Sequence, residues 1–232
     1  VNGELGPAGW QSPELAEVMD LCLQCKACKS ECPSQVDMAR MKSEALYQRQ
    51  REQGIPWRSR VIAASDHLGK WGTRLAPLSN TVLQGPLGRL GARVLGLDPS
   101  RPLPTYAPRA YTTGHPTPAP LPGCPWGPIP GLKLAWFVDT WTEYHLPELA
   151  HATASLLQHL CPDLKIIRPG CCGRPAISKG LLPQARARLA SLIPPLADLV
   201  AQGYQIVGLE PSCLSVLRDD ARHLLPGPAT EA

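Results

Sequence analysis

With 232 residues, 44% of them hydrophobic, and a formal net charge of +4, the chain is long enough for one full domain plus a smaller one. No run of about 18 apolar residues occurs, which excludes a membrane-spanning helix. The basic excess is fourteen Lys and Arg against ten Asp and Glu in residues 1–123, and nine against nine in 124–232; it lacks the aromatic interleaving of a nucleic-acid surface.

Nine cysteines, an odd number with four crowded into eleven residues, argue against a secreted disulfide framework and for a reducing, cytoplasmic setting. The chain begins at Val1 with no succession of charged, apolar and small residues after it, so no signal peptide is expected and the sequence reads as an excerpt of a longer polypeptide.

From Ser12 to about Leu97 the pattern is helical. Ser12 suits an N-cap, Pro13 a first helical position, and Glu14 and Glu17 the positive end of the helix dipole, so the first helix delivers Cys22 at its end. Asp37 suits the cap of a second helix, Met38 to Gln53, stopped by Gly54 and Pro56. Leu83, Leu87, Leu90 and Val94 keep helical spacing despite Gly85 and Pro86.

Between Pro99 and Pro125, prolines at 102, 104, 108, 116, 118, 120 and 122 fix the backbone and remove donors, which predicts an extended connector with neither helix nor central strand. Beyond it, short apolar runs alternate with amphipathic stretches. Strands are predicted at Leu132–Val138, Leu164–Ile167 and Tyr204–Leu209. Helices are predicted at Pro147–Leu160, over Gly180–Gln202 with a break near Pro194 and Pro195, and at Leu214–Leu225. That alternation implies a parallel sheet with ligands at the carboxyl ends of its strands. The expected architecture is α+β: an all-helical module over 1–98, a Pro-rich linker over 99–130, and an α/β parallel-sheet, cysteine-rich domain over 131–232.

Cys22-x-x-Cys25-x-x-Cys28-x-x-x-Cys32-Pro33 has the spacing of the bacterial ferredoxin run that holds 4Fe-4S clusters. Two-residue gaps let one tight loop offer three thiolates, while the fourth, Cys32, starts away from them and in two-cluster proteins serves the other cluster. A structural zinc site, normally two ligand pairs often including histidine, is the competing reading, and uncoordinated structural thiols a third. Lys26 and Lys29 either favour a reduced, more negative centre or merely solvate the loop. Farther on, Cys171 and Cys172 follow the second predicted strand and Cys213 the third, so all three fall on one rim, with Asp139 and Thr140 at the end of the first. Gly170 and Gly173 allow sharp turns beside the thiols.

These motifs, "LCLQCKACKSECPSQVDMARMKSEAL" with "FVDTWTEYH", "CCGRPAISKG" and "GLEPSC", together resemble the carboxyl-terminal part of bacterial FAD-linked oxidases of the D-lactate and 2-hydroxyacid dehydrogenase type. The iron-sulfur subunit of anaerobic glycerol-3-phosphate dehydrogenase is similar too. The resemblance implies a ferredoxin-like module with Cys22, Cys25, Cys28 and Cys32 as cluster ligands, and an incomplete CCG-type domain. It also implies FAD only in a flavin domain upstream, and a further cysteine-rich cluster motif upstream that supplies a cysteine to the first cluster while Cys32 serves the partner cluster. Where the family has a cysteine after the first strand this chain has Asp139 and Thr140, and Val216 stands where a Cys-x-x-Cys would end. Cys171, Cys172 and Cys213 therefore stay open between metal or cluster ligands, redox or substrate-facing thiols, and structural cysteines.

The expected function is electron transfer within a larger FAD-linked dehydrogenase, from a flavin reduced by a 2-hydroxyacid to a quinone or cytochrome, with no substrate site in this piece. Peripheral attachment at the inner face of a membrane stays open. A heterodisulfide-reductase-like subunit and a structural metal-binding module are the alternatives. Cys124 and Cys161 read as structural, His145 and His151 as surface residues, and Arg174 with Glu210 as an ion pair across the rim.

Overall fold

The computed structural model describes residues 6–114 and 127–231. After a 3-10 turn at Gly6–Gln11 come helices α1 (Pro13–Asp20), α2 (Ala27–Glu31), α3 (Met38–Gln53), α4 (Trp57–Ala63), α5 (Ser65–Arg74), α6 (Ala76–Gln84), α7 (Pro86–Val94) and α8 (Tyr111–Gly114). Strand β1 (Leu134–Phe137) is followed by α9 (Thr140–Tyr144), α10 (Pro147–Leu160), β2 (Lys165–Ile167), α11 (Arg174–Ser178), α12 (Leu182–Ala201) and β3 (Gln205–Val207). Helix α13 (Pro211–Ser215) runs through a π turn at Val216–Asp220 into α14 (Ala221–Leu224), and α15 (Pro228–Glu231) comes last. The protein is mainly helical with one small parallel sheet, within the α+β class. Cys124 and the prolines from 116 to 125 lie outside the described residues.

The chain divides into two units, Val1–Ala64 with Gly173–Arg186, and Ser65–Cys172 with Ala187–Ala232. Helices α5–α7, expected beside the cysteine loop, group with the sheet.

In the first unit the expected caps form. Ser12 Oγ accepts from the Leu15 N–H at 3.2 Å and Asp37 Oδ1 from the Arg40 N–H at 2.9 Å, each satisfying a donor that the first helical turn leaves over. Gly54, with φ +84°, ends α3. The same helix holds the returning segment: Gln50 Nε2 donates to the Lys179 carbonyl at 2.7 Å.

In the second unit β1 lies between β2 and β3, parallel to both, with Ala135 opposite Lys165 and Ile206. Its residues are almost wholly buried because both neighbours and the covering helices shield it, as a central parallel strand requires. Trp136 packs with Tyr111, Ala150 and Ala154, and burying such a side chain contributes about 2–3 kcal/mol.

Three local expectations are corrected. Helix α12 does not break at Pro194 and Pro195. Leu189, Leu192, Ile193 and Leu196 are buried on either side of them, while both prolines and residues 190 and 191, whose carbonyls lose their donors, face water, which can hydrate those oxygens. The described part of the proline-rich segment is no loose connector: Asn80 Oδ1 accepts from the Tyr106 N–H at 2.8 Å and its Nδ2 donates to the Tyr106 carbonyl at 2.9 Å. The Ala107 N–H bonds the Tyr144 carbonyl at 2.7 Å, and the proline-free stretch after Pro108 forms α8. Finally, His145 is half-buried, its ring between Tyr106 and Trp141 at centroid distances of 4.8 and 4.6 Å. Its Nδ1 lies 2.8 Å from the Thr105 carbonyl, yet burial outweighs that bond and pushes its pKa below the usual imidazole value. His151 sits edge-on to Tyr111 at 5.2 Å.

Candidate functional site

The cysteine run lies wholly in the first unit. Helix α1 stops at Asp20, the Cys22 N–H reaches back to the Met19 carbonyl at 3.1 Å, and the loop then turns through two left-handed residues, Gln24 (φ 56°) and Lys26 (φ 64°), on either side of Cys25. Non-glycine residues enter that region at a cost of about 1–2 kcal/mol each, so something must hold them. Cys28 sits in α2 and Cys32 caps its end, with its N–H on the Cys28 carbonyl at 2.9 Å. Cys25 is exposed and the other three are partly exposed.

The holding groups come from α3 and the returning segment of the same unit. The Gln24 side chain, 6% exposed, donates to the Ala39 carbonyl at 3.2 Å and to Ser43 Oγ at 2.8 Å. Lys42 Nζ donates to the Cys22 carbonyl at 2.9 Å, and Arg174 Nη2 to the Gln24 carbonyl at 2.7 Å. Two cationic donors thus fix the loop backbone on either side of Leu23. Cys32 sits among backbone N–H groups of Val36, Ser34 and Gln35, which pull its thiol below the ordinary range and favour thiolate. Lys29, expected either to tune the centre or to be solvated, lies 3.8 Å from Asp37.

This arrangement suits an anionic iron-sulfur group on two counts. The four donors are thiols, and the loop carbonyls of Cys22 and Gln24 are occupied by cationic donors. The second guanidinium nitrogen of Arg174, Nη1, is buried with no hydrogen-bond partner, an unspent positive donor next to the loop. Gln24, Lys42, Ser43 and Arg174 had no sequence signal as loop clamps, except that Lys42 and Ser43 lie three and four residues after Ala39, whose carbonyl belongs to the same cluster.

The second group of cysteines belongs to the second unit. The outer strands β2 and β3 flank β1, and the turns after them bring Cys172 Sγ to 3.0 Å from Cys213 Sγ, as strand-end placement predicts. Both are buried, and neither is in a disulfide. The Cys171 sulfur lies 3.9 Å from Arg188 Nη1. Asp139 caps α9, accepting from the Trp141 and Thr142 N–H groups at 2.8 and 3.1 Å. Glu210 caps α13 by accepting from the Ser212 N–H at 3.2 Å. Cys161 is fully buried, with its thiol donating to the Leu132 carbonyl at 3.0 Å, a packing role.

Among the described residues no three His, Cys, Asp or Glu side chains gather around one point that could hold a metal ion. The Cys172 and Cys213 thiols are close enough to be joined directly. Mild oxidation with diamide is expected to take one hydrogen from each and join them by a single S–S bond. Peptide mapping should find this crosslink in the parent and in Cys171→Ser but not in Cys213→Ser; a crosslink through Cys171 would contradict the observed pairing.

No family model matches the chain, and comparison with curated proteins and with solved structures gives no match either.

Proposed function

We propose that the chain is the iron-sulfur electron-carrying portion of an FAD-linked oxidoreductase of the D-lactate and 2-hydroxyacid type, composed of a helical 4Fe-4S module and an incomplete CCG-type α/β domain. The observation that carries this reading is the Cys22 to Cys32 run on a loop bent by two left-handed residues and clamped by Lys42 and Arg174. In this reading Cys22, Cys25, Cys28 and Cys32 supply the thiolates for a 4Fe-4S cluster, with an upstream segment able to replace one of them. When bound, such a cluster takes and gives one electron at a time.

The protein's own contribution is positional and electrostatic. Gln24 locks the loop onto α3, while Lys42 and Arg174 place positive charge on its carbonyls, which favours added negative charge nearby. Backbone donors hold Cys32 toward thiolate. Leu21 and Leu23, 79% and 87% exposed on either side of Cys22, offer an apolar collar to a flavin domain or to a quinone- or cytochrome-type acceptor. Substrate oxidation belongs to the flavin domain, and the working location is the cytoplasmic side. The contact between Cys172 and Cys213 supports a second reading, a heterodisulfide-reductase-like subunit whose rim performs its own thiol chemistry.

Anaerobic reconstitution with ferrous iron and sulfide tests the proposal. The desalted protein is expected to retain about four irons per chain, with broad visible absorbance that dithionite bleaches, and Cys25→Ser or Cys28→Ser should lose both. A chain that retains no iron, or one colourless zinc instead, would overturn the reading.

A further inference from the structure

Helices α5, α6 and α7 have their large and small residues the wrong way round for elements that only cover a core. On their inward sides lie Gly69, Gly72, Ala76, Gly88 and Ala92, all buried. A side chain at Gly69 would strike the Tyr144 ring, one at Gly72 the Tyr106 ring, and one at Gly88 the Leu83 carbonyl. On their outward sides Trp71, Leu75, Leu78, Leu87, Leu90 and Val94 are each 53–66% exposed. A helix whose sole task is to bury apolar surface turns such residues inward. An exposed apolar surface of this extent marks a contact with something else.

The charge identifies what that is. Residues 67–97 contain Lys70, Arg74, Arg89 and Arg93 and not one Asp or Glu, and all four basic side chains are exposed. The acidic residues that bound the run are Asp66, which is paired with Arg168, and Asp98, which binds Ser100. A protein partner of mixed surface charge does not require a 31-residue stretch free of acid. A layer of phosphate headgroups over acyl chains does, because it attracts every basic residue and takes in the leucines beneath. Trp71 carries the Arg74 guanidinium 5.3 Å from its ring centroid, a pairing of aromatic ring and cation suited to the headgroup level. Each helix has nine or ten residues, and no helix among the described residues is long and apolar enough to cross a bilayer, so the helices would lie in the interface.

We propose that the outward faces of α5–α7 form a docking surface for anionic lipid bilayers, with Trp71 and the exposed leucines entering the boundary between headgroups and acyl chains and Lys70, Arg74, Arg89 and Arg93 set against the phosphates. The surface uses none of the cysteines, so it stands or falls independently of the iron-sulfur reading.

Co-sedimentation of the full 232-residue chain with vesicles tests it, using phosphatidylcholine alone and phosphatidylcholine mixed with phosphatidylglycerol. The chain is expected to partition onto the mixed vesicles, weakly onto the neutral ones, and less as salt rises. Arg89→Glu with Arg93→Glu should lower partitioning onto mixed vesicles by about twentyfold or more, and Leu87→Ser with Leu90→Ser should lower it as well, with far-UV circular dichroism unchanged for both. Absence of partitioning onto mixed vesicles, or partitioning that neither pair alters, would overturn the proposal. So would a dimer in light scattering that Leu87→Ser with Leu90→Ser disperses, because the face would then belong to a second copy.

Discussion

Replacing Arg168 with methionine is expected to destabilise the sheet-bearing unit by about 3–5 kcal/mol, because it leaves carboxylates in the interior without their counter-charge. Arg168 follows β2, and its side chain is 10% exposed. It pairs with Asp66, its Nε lies 3.8 Å from Glu143 Oε1, and its guanidinium stands 4.9 Å from the Tyr144 ring centroid. Glu143 has little freedom to turn to solvent, since it accepts from the Thr112 N–H at 3.1 Å and from the Thr112 hydroxyl at 2.6 Å. Hydrogen exchange of the β1 amides across a urea series measures the change in this unit. Adding Glu143→Gln should restore part of the loss, since it removes the buried charge while the amide oxygen still accepts from one of the two Thr112 donors. A loss under about 1 kcal/mol would place the pair among hydrated surface bridges instead.

The second large effect is expected at Gly180. Its φ of +70° favours glycine, and a Cβ there would stand 2.5 Å from the Leu46 Cβ and 2.8 Å from the Tyr47 backbone nitrogen. Neither atom is the end of a flexible side chain, so α3 itself would have to move. Gly180→Ala should therefore cost the first unit about 2–4 kcal/mol, combining left-handed strain with overpacking. Because α3 carries Lys42 and Ser43, the same substitution should weaken the hold on the cysteine loop, read as faster exchange of α3 amides and lower retention of reconstituted iron. Gly203→Ala is the control: its φ is +86° but nothing lies within 4 Å of the added carbon, so only the strain, about 1–2 kcal/mol, should remain. Equal losses at both positions would mean that the approach of α3 is not what makes Gly180 necessary.

What could be read from the sequence was local chemistry. Ser12, Asp37 and Gly54 act on donors and acceptors within four residues, so they announced the helices they bound, and Pro147–Leu160 was legible from its periodicity. The meeting of Cys172 with Cys213 followed from a rule about strand ends and needed no contact information. The misses all depend on distant partners. Asn80 holds Tyr106 from 26 residues away and turns an apparent spacer into a packed segment. Arg174 reaches the loop across 150 positions, a partner that no short-range pattern announces. Helix α12 passed its two prolines because the strong apolar contacts flanking them outweigh local propensity.

Gln24 and Lys26 show how far the cysteine loop depends on its surroundings. Neither residue prefers the backbone shape it adopts, so a synthetic peptide copied from Cys22 to Pro33 would relax toward ordinary right-handed or extended conformers. Transplanting the loop into a foreign scaffold would therefore require either glycines at those two positions or the groups that hold Gln24 and Cys22 here, namely the Ala39 carbonyl, Lys42 and Ser43 of α3 and Arg174 of the returning segment. The spacing of the thiols alone does not encode the curvature that presents them.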